Sequence, residues 1–141
     1  MPARSANHAG LKPLDEKLTI NIGCVDLGQI DLLVQEGFYA NRTDLIRTAI
    51  RNQLGKHRGI VREMVIRKTL ALGIQHYSAA DLKAVKSAGQ MLQIKVLGLA
   101  SIAADVTPAL ALATIESITV LGALHASPAV KTALRQRMVG A

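Results

Sequence analysis

Polar and apolar residues alternate strictly from Lys17 to Ile22, in the order Lys-Leu-Thr-Ile-Asn-Ile. A period of two with β-branched members predicts a half-buried strand. From Val25 to Glu36 the period becomes helical, with Leu27, Ile30, Leu33 and Val34 on one stripe. Gly28 weakens that helix by about 1 kcal/mol relative to Ala, and Gly37 suits its end. After the link Phe38-Tyr39-Ala40, Asn41 is a good N-cap and Asp44 resembles the acidic half of a capping box. The second helix is expected to run through Leu45, Ile46, Ala49, Ile50 and Leu54, with Arg47 and Arg51 facing away, and to end near Gly55 to Gly59. Ahead of all this, residues 1–14 lack periodicity and contain Pro2, Gly10 and Pro13, which predicts a flexible arm.

The second half follows another rhythm. Leu72-Gly73, Leu97-Gly98 and Leu121-Gly122 recur, the glycines 25 and then 24 residues apart. Each pair lies near the end of an apolar, β-prone segment: Val65 to Leu72, Leu92 to Leu97, and Ile118 to Leu121. A helix signal follows each. Ser78 has Asp81 three residues on, Thr107 precedes Pro108, and Ser127 precedes Pro128; a hydroxyl at the N-cap and Pro at the first helical position start a helix for a physical reason. The expected helices are Ala79–Ser87, Pro108–Ser117 and Pro128–Met138. Three strand-helix units result, and they fit either a small parallel sheet with helices on one face or a short solenoid. Both leave strand edges and an apolar flank that a partner copy would cover.

Composition changes this picture little. Half the residues are hydrophobic, yet only Phe38, Tyr39 and Tyr77 are aromatic, so the core must be aliphatic. The formal charge of +7 suits an anionic partner. It is unevenly placed: residues 1–60 carry eight Lys/Arg against six Asp/Glu (+2), and residues 61–141 nine against four (+5). DNA contact by the first half must therefore rest on placement. The lone Cys24 fits a reducing compartment and reads as a small packing residue. The N-terminus has no apolar signal-peptide core. Asp105, Glu116, Pro108 and Pro128 interrupt the apolar stretch from Val96 to Val130, so no membrane span is expected.

A single short strand and two helices cannot close a core, since nothing covers Leu18, Ile20 and Ile22. Pairing with the same strand of a second chain would give a two-stranded antiparallel ribbon over four helices. Lys17, Thr19 and Asn21 would then face outward, and such a ribbon fits the major groove of B-DNA. A cation, a small hydroxyl and an amide are suitable readers of base edges. With KLTINI as ribbon and GFYANRTDLIRTAIRNQL as turn and second helix, the segment from Lys17 to Leu54 resembles the ribbon-helix-helix family of MetJ, Arc and CopG. The resemblance implies base readout by Lys17, Thr19 and Asn21. It also implies a phosphate clamp at the start of the second helix, formed by Asn41, Arg42 and Thr43. A helix N-terminus suits an anion in any case, through free N–H groups and a positive dipole end. Where the family often carries Ser before the Asn-Arg pair, this chain has Ala40, which removes one side-chain contact.

His8, His57, His76 and His125 are far apart, with no Cys or carboxylate at ligand spacing, so no metal site or other cofactor is expected. No P-loop, dinucleotide-binding glycine pattern or nucleophile elbow is present, and an enzyme is not expected. Arg135, Arg137 and Lys131 read as a solvated helix face or a supplementary DNA contact. The expected fold is α+β: an arm at 1–14, an intertwined ribbon-helix-helix dimer at 15–58, and a small α/β domain of three strand-helix units at 62–141. The expected function is that of a cytoplasmic, nucleoid-associated transcriptional repressor. It would bind double-stranded DNA as a homodimer and form a higher oligomer through the C-terminal domain, with no membrane partner. A scaffold polymerising through the repeat domain, and an antitoxin or plasmid-maintenance repressor, are the alternatives.

Overall fold

A computed structural model describes residues 14–140 of the chain, and the arm expected at 1–14 lies almost wholly outside them. The chain divides into two compact units: Lys17–Lys68, and the chain from Thr69 onward together with the segment ending at Glu16. Six α-helices and three parallel strands occur among the described residues, an α+β composition.

The first unit contains α1 (Cys24–Gln35), α2 (Arg42–Lys56) and α3 (Arg58–Arg67). Two features stop and restart the chain between α1 and α2. Gly37 takes a positive φ of 83°, and the N–H groups of Gly37 and Phe38 donate to the carbonyls of Val34 and Leu33 at 3.1 and 3.0 Å. This crossed pair satisfies the last carbonyls of α1, and glycine is the residue that reaches the left-handed region without strain. Asn41 then caps α2: its side-chain oxygen accepts from the Asp44 N–H at 2.8 Å. Asp44 returns a carboxylate oxygen to the N–H of Ala40, at 3.0 Å.

None of the three helices contains a buried residue. Leu18, Ile20, Val25, Leu32, Phe38, Leu54 and Ile66 are all more than half exposed. Full burial of such a side chain contributes about 1.5–3 kcal/mol, and within one chain most of this stabilisation is missing.

Lys17–Ile22, expected to pair with the same strand of a second chain, has no partner strand among the described residues of one chain. Two sequence expectations need correction here. Cys24, expected to pack, is exposed at the first position of α1. The segment from Val65 to Leu72 was expected to be a strand, but Val65, Ile66 and Arg67 end α3 and only Ala71 and Leu72 belong to β1. Ile60, Val61, Met64 and Val65 lie at helical spacing, and only His57, with ψ near 7°, interrupts the helical path from α2. The strand starts later, after Thr69 takes a positive φ of 56°.

The second unit is a three-stranded parallel sheet in chain order, β1 (Ala71–Tyr77), β2 (Leu92–Ile102) and β3 (Ile115–His125). Helices α4 (Ala79–Ser87), α5 (Pro108–Thr114) and α6 (Pro128–Leu134) follow the strands in turn. Each starts where a hydroxyl was expected to cap it. Ser78 and Asp81 form a reciprocal capping box, Thr107 accepts from the Leu110 N–H at 3.1 Å, and Ser127 accepts from the Val130 N–H at 3.2 Å. Alternate strand residues (Ile94, Val96, Ala100, Ile102 and Ile118) pack against Leu82, Ala111, Val130 and Leu134 to form an aliphatic core. The opposite parity carries two rows across the sheet, Leu72-Leu97-Leu121 and Ile74-Leu99-Ala123, followed by His76-Ser101-His125.

β2 and β3 are longer than expected, β1 lies further along the chain than expected, and the Leu-Gly pairs lie within the strands rather than near their ends. Ile115 to Ser117, expected to close α5, open β3 instead. Arg137 fixes this junction: its guanidinium donates to the carbonyl of Ile115 at 2.7 Å and to that of Leu112. It is half-buried and tied to backbone, so it does not belong to a solvated basic stripe. The last helix also ends early, at Leu134, and continues as a short 3-10 turn over Arg135–Arg137.

Gly73, Gly98 and Gly122 stand side by side in register, all with φ between 115° and 135°. A Cβ on Gly98 would lie 2.2 Å from the carbonyl oxygen of Gly73, and one on Gly122 2.0 Å from that of Gly98. Nothing lies within 4 Å of the corresponding place on Gly73. Gly73→Ala should therefore incur backbone strain alone, about 1–3 kcal/mol. Gly98→Ala and Gly122→Ala should lose more than that, because a strand must also be displaced; urea unfolding of the three variants ranks them. A second expectation follows from the unburied first unit. Its thermal midpoint should rise with protein concentration, as for any unit whose folding is linked to association.

Candidate nucleic-acid interface

The residues expected to read bases, Lys17, Thr19 and Asn21, are all exposed. They alternate with Leu18, Ile20 and Ile22, so in an extended ribbon they share one face. Asn41, Arg42 and Thr43, the expected phosphate clamp, lie together at the start of α2 and are also exposed. Asn41 is committed to capping. Among the described hydrogen bonds none is donated by the N–H of Arg42 or Thr43, so two donors of the first turn remain open to an anion at the positive end of the helix dipole. The structure places these three residues at one helix end. It shows no hydrogen bond between the clamp and the reading row among the described residues.

Sequence reasoning missed one participant. Asp31, on α1, takes both sides of the Arg42 fork: Nε to Oδ1 at 2.7 Å and Nη2 to Oδ2 at 2.8 Å. The only clue was its position as the carboxylate of α1 beyond the first turn. The hydrogen bond from Arg42, reinforced by its charge, holds the Asp31 carboxyl below the usual carboxylate range. Arg42 is raised by the same bond. Because the Asp31 value is depressed on folding, the pair contributes fully above the ordinary Asp value of 3.8 and is lost as pH falls through the lower folded value. Both groups are solvent-exposed, so the pair orients α1 and α2 more than it stabilises them. Its fork geometry is the one Arg also uses for phosphate.

Elsewhere, His125 pairs with Glu16 at 2.8 Å. The row His76-Ser101-His125 rims a cleft of about 580 Å³ floored by Ile74 and Leu99. No group of three His, Cys, Asp or Glu among the described residues could hold a metal ion. Among the described residues no helix is long and apolar enough to cross a membrane.

The chain matches the model of the ribbon-helix-helix transcriptional regulator family over residues 13–131, and it belongs to that family. The match extends well past α2 and takes in the sheet as far as α6. No curated protein and no solved structure matches the chain. Membership brings DNA binding, the regulation of transcription and a typically dimeric state.

The Asp31–Arg42 fork makes a testable link to DNA. Asp31→Asn should hold or raise affinity for every duplex, since it frees Arg42 and removes a negative charge near phosphate. Arg42→Ala should weaken all sequences alike and reduce the slope of log affinity against log salt by about 0.9, the loss of one phosphate contact. Fluorescence anisotropy over a salt series measures both; a marked loss of affinity in Asp31→Asn would make the fork a brace that DNA binding requires intact.

Proposed function

We propose that this protein is a sequence-specific transcriptional repressor that binds operator DNA as a homodimer and works on nucleoid DNA in the cytoplasm. Lys17, Thr19 and Asn21 of two chains form the reading face of an antiparallel ribbon laid in the major groove. The starts of the two α2 helices grip flanking phosphates through Asn41, Arg42 and Thr43. One observation carries this reading. An exposed Lys-Thr-Asn row alternates with apolar Leu18 and Ile20, which nothing among the described residues buries, and after α1 comes a capped helix N-terminus with open N–H groups. Pairing the strands covers the apolar parity and doubles the polar one. The second unit makes further contacts between copies, its helix-free face offering Leu72, Leu97 and Leu121 to a higher assembly.

A selection from a randomised duplex library tests the reading. The protein should enrich a palindromic or repeated site. Thr19→Ala and Asn21→Ala should change the preferred bases, at about 1–3 kcal/mol per lost base contact, with little effect on non-specific binding. Unchanged preference in both variants would remove the ribbon from base readout.

A further inference from the structure

The two edges of the parallel sheet are not alike. The chain itself takes part of the β3 edge: Met138 pairs with Ile118 in parallel, and the Val139 N–H donates to the Ile118 carbonyl at 2.9 Å. The outer edge of β1 has no partner among the described residues. Strands left at an edge are normally guarded by charge, proline or a covering segment. Ala71–Tyr77, reading Ala-Leu-Gly-Ile-Gln-His-Tyr, contains no Lys, Arg, Asp, Glu or Pro. Its two large aliphatic side chains, Leu72 and Ile74, are 69% and 58% exposed. The glycine row also ends openly here. The space beside Gly98 and Gly122 is filled by a neighbouring carbonyl, whereas the same space beside Gly73 is empty. A further backbone can approach β1 without displacing anything.

We propose that β1 pairs with β1 of the second copy in the same dimer, antiparallel, joining two three-stranded sheets into one of six strands. The proposal rests on the dimer formed by the first unit. Only Lys68, Thr69 and Leu70 separate α3 from β1. Dimerisation therefore tethers the two β1 strands on short links, at an effective concentration in the range of about mM. A contact about a two-fold axis uses the same patch on both chains, and a strand that meets itself edge to edge in this way runs antiparallel. Full overlap of Ala71–Tyr77 centres the axis on Ile74, the middle residue, and sets it beside the partner subunit's Ile74. Opposite residues of an antiparallel pair have Cβ atoms about 4.5–5.5 Å apart. Pairing of this kind also closes: it uses up the free edge of both copies and offers none to a third.

Cross-linking of the full chain tests this. Cys24 is the only cysteine, so Cys24→Ser gives a thiol-free background for Ile74→Cys, with Lys86→Cys on α4 as a control. After treatment with a short bis-maleimide, at a dilution that keeps any higher assembly of dimers apart, Ile74→Cys should run as a linked dimer on a denaturing gel while its mass by sedimentation at that dilution stays dimeric. The control should remain unlinked, and adding Leu72→Lys should cut the Ile74→Cys yield several-fold. A native dimer that does not link at residue 74 overturns the pairing and leaves the first-unit dimer standing. A linked species of tetrameric native mass, or linking only after residues 1–13 are removed, overturns it too, in favour of a contact between dimers or of the amino-terminal segment. A monomer in the Cys24→Ser background sinks the dimer and this inference together, which separates the two failures.

Discussion

The first unit cannot finish its own core. Three helices are present without one buried residue, and Leu18, Ile20, Val25 and Phe38 stand in solvent. Ordering a chain costs about 1–2 kcal/mol per residue in backbone entropy, and apolar burial is what offsets it. A unit without burial borrows that burial from another molecule. Because Lys17, Thr19 and Asn21 alternate with the apolar positions, covering the apolar parity leaves the polar parity facing outward. Association and an outward polar face are two results of one pattern.

The second unit meets the same entropy differently. Its aliphatic core closes within one chain, with Leu82, Ile115, Ile118, Leu134, Val96 and Val130 fully buried. Each strand delivers the chain to a capped helix, and each helix covers the same face of the sheet. Arg137 ties the last turn back to the start of β3 through two carbonyls. The core of this unit is closed within one chain, and its unfinished parts are a face and an edge.

What could be read from the sequence follows how local each signal was. The caps at Asn41, Ser78, Thr107 and Ser127 depend on residues three apart, and all four are present as hydrogen bonds. So does the end of α1, where Gly37 takes the left-handed conformation expected of it. The failures lie where neighbours in space decided. Val65 and Ile66 look like strand by composition but follow the helical path of α3. Ile115 leaves α5 because β2 offers it a partner in Leu92. Arg137 looked like a surface charge, since the carbonyls it binds lie 22 and 25 residues earlier. The same limit applied to the interface: Arg42 was visible as a charge at a helix start, while its fork with Asp31, 11 residues away on another helix, was not.

The glycine row also constrains how this chain can change in length. Each glycine must meet the carbonyl of the one before it, so an insertion or deletion inside a strand shifts one glycine out of line and opposes a side chain to backbone. Length can vary in the turns and helices between strands, and at the register shift where Leu92 and Gln93 face Ile115 and Ser117; the spacings of 25 and 24 residues differ while the glycine row keeps its register. A change of a whole strand-helix unit would keep every remaining glycine in its place. The lineage of this half of the molecule should therefore lengthen and shorten in complete units, and drift by single residues only away from the glycine row.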